Sequence, residues 1–160
     1  MNGYTETEKM LDAHKDNLDK YGYFNAISTY RTNNAVPSGL IFARSPWFVP
    51  SVGQWFDVMV NICGKSPKTF NDITTSNWSD KTAGTEMWNA INSQLSKVDK
   101  PLTLYPITGS SRIIFVCSSE VDAEWAWNAV WSDNATNVAL GSIVKFFTSS
   151  QRVVRPFFVF

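Results

Sequence analysis

Histidine is almost missing from this chain, and charge is thin. His14 is the one histidine in 160 residues, which rules out a metal site built on several imidazoles and leaves few routes to a Ser–His–acid set. Cysteine is nearly as scarce. Cys63 and Cys117 cannot make a disulfide framework; a single bridge between them is left open, and the preferred reading is two buried free thiols. Charged residues make up 18%, below the usual quarter, and fourteen basic side chains balance fourteen acidic ones. No global field therefore draws nucleic acid or anionic lipid to it. No apolar run approaches the roughly eighteen residues of a membrane span. The segment Met1–Glu6 has no basic stretch leading into an apolar one, so no signal peptide is visible. That reading leaves an intracellular or virion-borne chain, or the excised end of a longer exported protein.

Aromatic residues, by contrast, are abundant at 14%, with seven tryptophans. Three of them fall in Trp125-Ala126-Trp127-Asn128-Ala129-Val130-Trp131. In a strand, residues 125, 127, 129 and 131 share one face because side chains alternate. A buried tryptophan contributes a large apolar area, whereas an exposed one marks a contact surface. Which of these rings point inward decides what the protein does.

Local signals predict three helices in the first hundred residues. Thr5-x-x-Glu8 reads as a capping box, followed by Met10, Leu11, His14, Leu18 and Tyr21 at helical spacing; this predicts a helix over about 6–20, stopped by Gly22. His14 reads as a structural histidine beside the apolar face. Pro50 and a second capping box, Ser51-Val52-Gly53-Gln54, open a helix that Gly64 ends, with Trp55, Phe56, Met59, Val60, Ile62 and Cys63 as a broad apolar stripe. A third helix starts near Thr85 and carries Trp88, Ile91, Leu95 and Val98. The polar stretch from Lys65 to Gly84 reads as a loop.

From Arg112 the pattern changes. Residues 113–117, 124–131, 138–147 and 152–160 read as short strands joined by Ser, Asp, Asn and Gly. Helices first and an antiparallel sheet last predict an α+β fold, and length and uniform composition predict one domain over 1–160.

Four pieces in order carry a resemblance: Trp47-Phe48-Val49-Pro50-Ser51-Val52-Gly53-Gln54-Trp55, then Ser118-Ser119-Glu120, then Ala126-Trp127, then Val154-Arg155-Pro156 before the aromatic end Phe157–Phe160. Together they resemble bacterial C-type lectin-like domains of the fimbrillin-associated and diversity-generating-retroelement type, related to the formylglycine-generating enzyme fold. Phe115-Val116-Cys117 departs from the family's aromatic-Trp-Ser at that point. The resemblance implies a C-type lectin-like fold, with N-terminal helices on a twisted C-terminal antiparallel sheet. It places Trp127, Ala129 and Trp131 inward and Asn128 and Val130 outward. Trp125, ahead of the matched motif, is expected to be partly exposed. Lys145 matches a recurring lysine, and at least one of Phe146 and Phe147 is expected to face solvent. Arg155 reads as a structural hydrogen-bond donor, and Pro156 implies an edge or bulge.

The function expected on this basis is a non-enzymatic, adhesin-like ligand-binding domain. Its face is expected from segments 121–134 and 142–151: Val121, Asp122, Glu124, Trp125, Asn128, Val130, Ser132, Asp133, Val144, Phe146 and Phe147. Aromatic, acidic and small polar side chains together suit a contact surface. The expected ligand is a protein or glycan on another cell or on a phage or host surface, with no cofactor, no metal and no nucleic acid. The expected place is extracellular or on a cell surface if the chain belongs to an exported protein, or on a virion. Calcium-dependent sugar binding fits poorly, because Trp131-Ser132-Asp133-Asn134 lacks a companion triplet of oxygen ligands. The alternative from another class is a structural tip or capping subunit of a surface fibre or phage tail. Catalysis ranks third, since no nucleophile–base–orienter set can be assembled.

Overall fold

The structure is a computed structural model that describes residues 2–34, 45–66, 78–97, 112–132 and 135–144, together with the backbone of 152–153. Its first helix, α1 (Gly3–Ala13), starts earlier and stops sooner than the sequence predicts. Asn2, not Thr5, is the cap: its Oδ1 accepts from the Tyr4 N–H at 3.1 Å. Glu8 instead pairs with Arg31 at 2.6 Å. Beyond Ala13 the chain turns. The Asn17 N–H donates to the His14 carbonyl, a single 3-10 turn covers Leu18–Lys20, and the His14 ring stacks on Tyr21 with centroids 4.0 Å apart. The 14/18/21 spacing that imitates one helix face is thus produced by a fold-back.

Gly22 does not end a helix but opens α2 (Gly22–Asn33), which the sequence reading misses. Ile27 is its buried residue, with Tyr23, Phe24 and Tyr30 half-buried around it. The next helix, α3 (Val52–Asn61), follows its signals closely. Ser51 and Gln54 form the reciprocal capping box, and Gly64 takes φ +67°, the left-handed conformation that lets the Lys65 N–H reach the Met59 carbonyl at 3.2 Å. Val52, Trp55 and Met59 are buried on one side of it.

Within the stretch read as a loop lies a strand, β1 (Trp78–Asp80), followed directly by α4 (Gly84–Leu95). Ala83, at the cap position, offers no side-chain acceptor; Asp80 serves instead, its Oδ1 accepting from the N–H groups of Thr82 and Ala83 at 2.8 and 2.9 Å. Those amide bonds hold the Asp80 carboxyl below the usual carboxylate range. A folded-state value below the unfolded one of about 3.9 contributes stability above that pH, which is lost as pH falls through the lowered value. Acid unfolding scans from about pH 5 downward are therefore expected to lose part of their slope in Asp80→Asn. An unchanged slope would refute the capping role.

The sheet completes the α+β layout. Strands β2 (Ile113–Glu120), β3 (Trp125–Ser132) and β4 (Asn137–Val144) join β1 in the order β1-β4-β3-β2, all antiparallel. The short β5 (Arg152–Val153) adds in parallel outside β2, at Ile114 and Phe115. Pro156 and the remainder of the expected last strand lie outside the described residues, as does Arg155.

Both faces of β2 are covered, and every residue from Ile113 to Ser119 is buried. On one face Ile113, Phe115 and Cys117 join Ala129, Trp131, Val138 and Leu140 against α3 and α4. Four rings, Trp55, Trp88, Phe115 and Trp131, lie with centroid separations of 5.0 to 6.3 Å, mostly in tilted or edge arrangements that favour aromatic pairs. On the other face Val116 packs with Ile27 of α2 and with Val49.

Candidate functional site

Three of the sequence motifs, Trp47–Trp55, Ser118-Ser119-Glu120 and Ala126-Trp127, come together, and their work is architectural; Val154-Arg155-Pro156 lies outside the described residues. Between the pairs Val116↔Asn128 and Glu120↔Ala126 the register shifts, leaving Cys117, Ser118 and Ser119 on β2 against Trp127 alone on β3. The bulged serines turn their polar groups outward from the ladder. The Ser118 N–H donates to the Pro50 carbonyl at 2.9 Å, its hydroxyl donates to Glu6 at 2.5 Å, and Ser119 Oγ accepts from the Val52 N–H at 3.1 Å. Gln54 Oε1 accepts from both Ser51 and Gly3, and Thr7 Oγ1 accepts from Val49 at 3.0 Å. Ser118 and Ser119 thus tie α1, the α3 N-terminus and the sheet into one body through buried and partly buried hydrogen bonds.

Beyond that junction β2 turns into β3, and the turn is the most exposed apolar feature of the sheet among the described residues. Val121 is 48% exposed and Trp125 38%. Backbone bonds close the turn, from the Val121 and Asp122 N–H groups to the Trp125 carbonyl. Asp122 fixes it further, its Oδ1 accepting from the N–H groups of Glu124 and Trp125, each at 2.8 Å. The carboxylate is therefore part of the turn's frame, an Asx-type closure. Asp122→Ala is expected to cost about 1–2 kcal/mol, the usual loss for a charge-assisted cap of this kind. Amide exchange at Glu124 and Trp125 should accelerate with little change in the core; an exchange pattern identical to the parent chain would contradict the assignment.

The expected site residues divide into groups rather than forming one patch. Val121, Asp122, Glu124 and Trp125 share the turn, and Val144 pairs with Trp125 in register, so both lie on the α3/α4 side of the sheet at its open end. Val130 and Ser132 have the opposite parity and lie half-buried on the other side. Asn128 is a correction. It was expected to face solvent, yet it is only 2% exposed, and its Nδ2 donates to the Ala126 carbonyl at 2.8 Å. Its partner across the ladder is Val116, which lies under Ile27 and Val49, so the helix missed in the sequence covers this part of the face. Asp133, Phe146 and Phe147 lie outside the described residues, as does Lys145. Ala129 and Trp131 are fully buried as expected, whereas Trp127 is only half-buried against the core.

Both cysteines are buried and unbridged. Burial pushes the Cys63 thiol up to about 11, with Lys65 offsetting part of the effect, and pushes Cys117 up as well. At neutral pH both are thiols, the poorly nucleophilic form. Among the described residues no group of three His, Cys, Asp or Glu side chains is arranged to hold a metal ion, and no helix is long and apolar enough to cross a membrane. Comparison with protein-family models, curated proteins and solved structures finds no match to this chain.

Proposed function

We propose that this chain is a non-enzymatic ligand-binding domain of the bacterial C-type lectin-like kind, presenting the β2–β3 turn to a protein or glycan on another cell or on a phage or host surface. One observation carries the reading. Of the three large apolar residues exposed among the described ones, Ile62, Val121 and Trp125, two sit in this single turn. Asp122 holds that turn in place, so little conformational freedom is lost when a partner covers it. A rigid indole supplies contact area at low entropic cost, and the Glu124 side chain beside it adapts as a hydrogen-bond acceptor. Display outside a cell or on a virion is the setting this activity requires.

The test compares the parent chain with Trp125→Ala on arrayed glycans and on intact bacterial and host cells. The reading expects at least one target held by the parent chain and weakened tenfold or more in the variant (about 1.4 kcal/mol), at an unchanged melting temperature. Targets that hold both chains equally would sink it.

A further inference from the structure

We infer that the partner segment seated on the β2–β3 turn is a stretch of protein bearing arginine or lysine. This rests on the turn being a binding surface and adds the chemistry of its occupant. Two exposed carboxylates, Asp122 and Glu124, flank the exposed Val121 and Trp125, and no basic residue lies in the turn. Among the described residues the ion pairs join Arg31 to Glu8 and Lys65 to Glu86, and neither Asp122 nor Glu124 enters one there. The chain as a whole is neutral, which makes this acidic excess local.

A partner that covers Val121 and Trp125 also strips water from carboxylates one to three residues away. A neutral or acidic surface would leave those charges desolvated and unpaired, which is strongly unfavourable. A guanidinium or ammonium group pairs with them, and against the indole face it adds a cation–π attraction, for which arginine's flat, weakly hydrated fork is well suited. A glycan offers hydroxyls to the carboxylates but no compensating charge. Lys145 follows Val144, the register partner of Trp125, and lies outside the described residues; its removal is therefore part of the test.

The probe is a capped Gly-Ser peptide with two arginines, set beside its glutamine and glutamate counterparts and a neutral oligosaccharide. Each is titrated into the full chain while backbone amides and indole N–H signals are followed by NMR. The arginine peptide is expected to shift the Val121–Trp125 signals saturably, at least tenfold more tightly than the glutamine peptide, with affinity falling as salt rises. Trp125→Ala is expected to weaken it by about 5- to 30-fold, as for a partly desolvated cation–π contact. Glu124→Gln should weaken it further, and Lys145→Ala should leave it unchanged or tighter. A glutamine, glutamate or sugar probe that shifts the turn as strongly overturns the cationic partner while keeping the binding surface. So does arginine binding that appears only in Lys145→Ala. Silence of the turn to every probe overturns both.

Discussion

Trp131→Ala is expected to remove about 3–5 kcal/mol of unfolding free energy, a large share of what a domain of this size has. Its ring is fully buried, lies 5.6 to 6.0 Å from Trp88, Phe115 and Trp55, and donates its Nε1–H to the Gly84 carbonyl at 3.2 Å. Truncation leaves a cavity between α3, α4 and the sheet and removes the side-chain bond to the Gly84 carbonyl at the start of α4. The same change at Trp125, on the same strand and the same side, is expected to cost less than about 1 kcal/mol, since its ring is already partly in water. Trp127, half-buried, falls between them. Denaturant unfolding of the three variants ranks them directly, and a Trp125→Ala loss equal to that of Trp131→Ala would place the proposed contact ring in the core.

Gly84→Ala is the second large effect. A Cβ at this position would lie 2.2 Å from the Ala135 carbonyl oxygen and 2.6 Å from that of Thr136, both backbone atoms that no rotamer change can move. The Gly84 N–H also donates to the Thr136 carbonyl at 2.9 Å, so the start of α4 and the β3–β4 turn are fitted backbone to backbone. Relief requires α4 to lift from the sheet and disturb the bond from Trp131. A loss of about 3 kcal/mol is expected, at the upper end for overpacking. Gly53→Ala is the control, because a Cβ there meets only Ser51 Oγ at 3.7 Å. In that exposed helical position alanine is expected to stabilise by about 0.5–1 kcal/mol. Similar melting temperatures for the two alanine variants would disprove the close approach.

Features whose signals are complete within a few neighbouring residues were legible. The start and end of α3 are written in Ser51, Gln54 and Gly64, and each of the three performs the local task its chemistry suggests. The alternation along β3 likewise places Ala129 and Trp131 inward. Gly22 misled because a glycine stops a helix through the left-handed conformation, which Gly64 adopts and Gly22 does not. Reading it as a stop hid α2, although Tyr23, Phe24, Ile27 and Tyr30 are spaced for one helix face. That omission reached the candidate site. With α2 absent, one face of the sheet looked open, and Asn128 was taken as solvent-facing where Ile27, Val49 and Val116 close it over. The expected face also mixed both parities of β3, Trp125 with Val130 and Ser132, which a strand sends to opposite sides. Ser118-Ser119 stood out in the sequence only as part of a resemblance, neither as a bulge nor as a joint, because its partners, Glu6, Pro50 and Val52, are distant in sequence.

The division of the rings between core and contact surface is tested most directly by fluorine NMR. The chain would carry 5-fluorotryptophan, with each signal assigned by single Trp→Phe replacement. A soluble paramagnetic agent is then added, first alone and then with a bound target from the glycan or cell screen. Trp55 and Trp131 should stay sharp throughout. Trp125 should broaden in the free chain and sharpen when the target is bound. A Trp125 signal as protected as that of Trp131 in the free chain, or one that stays broadened beneath a bound target, would contradict the account.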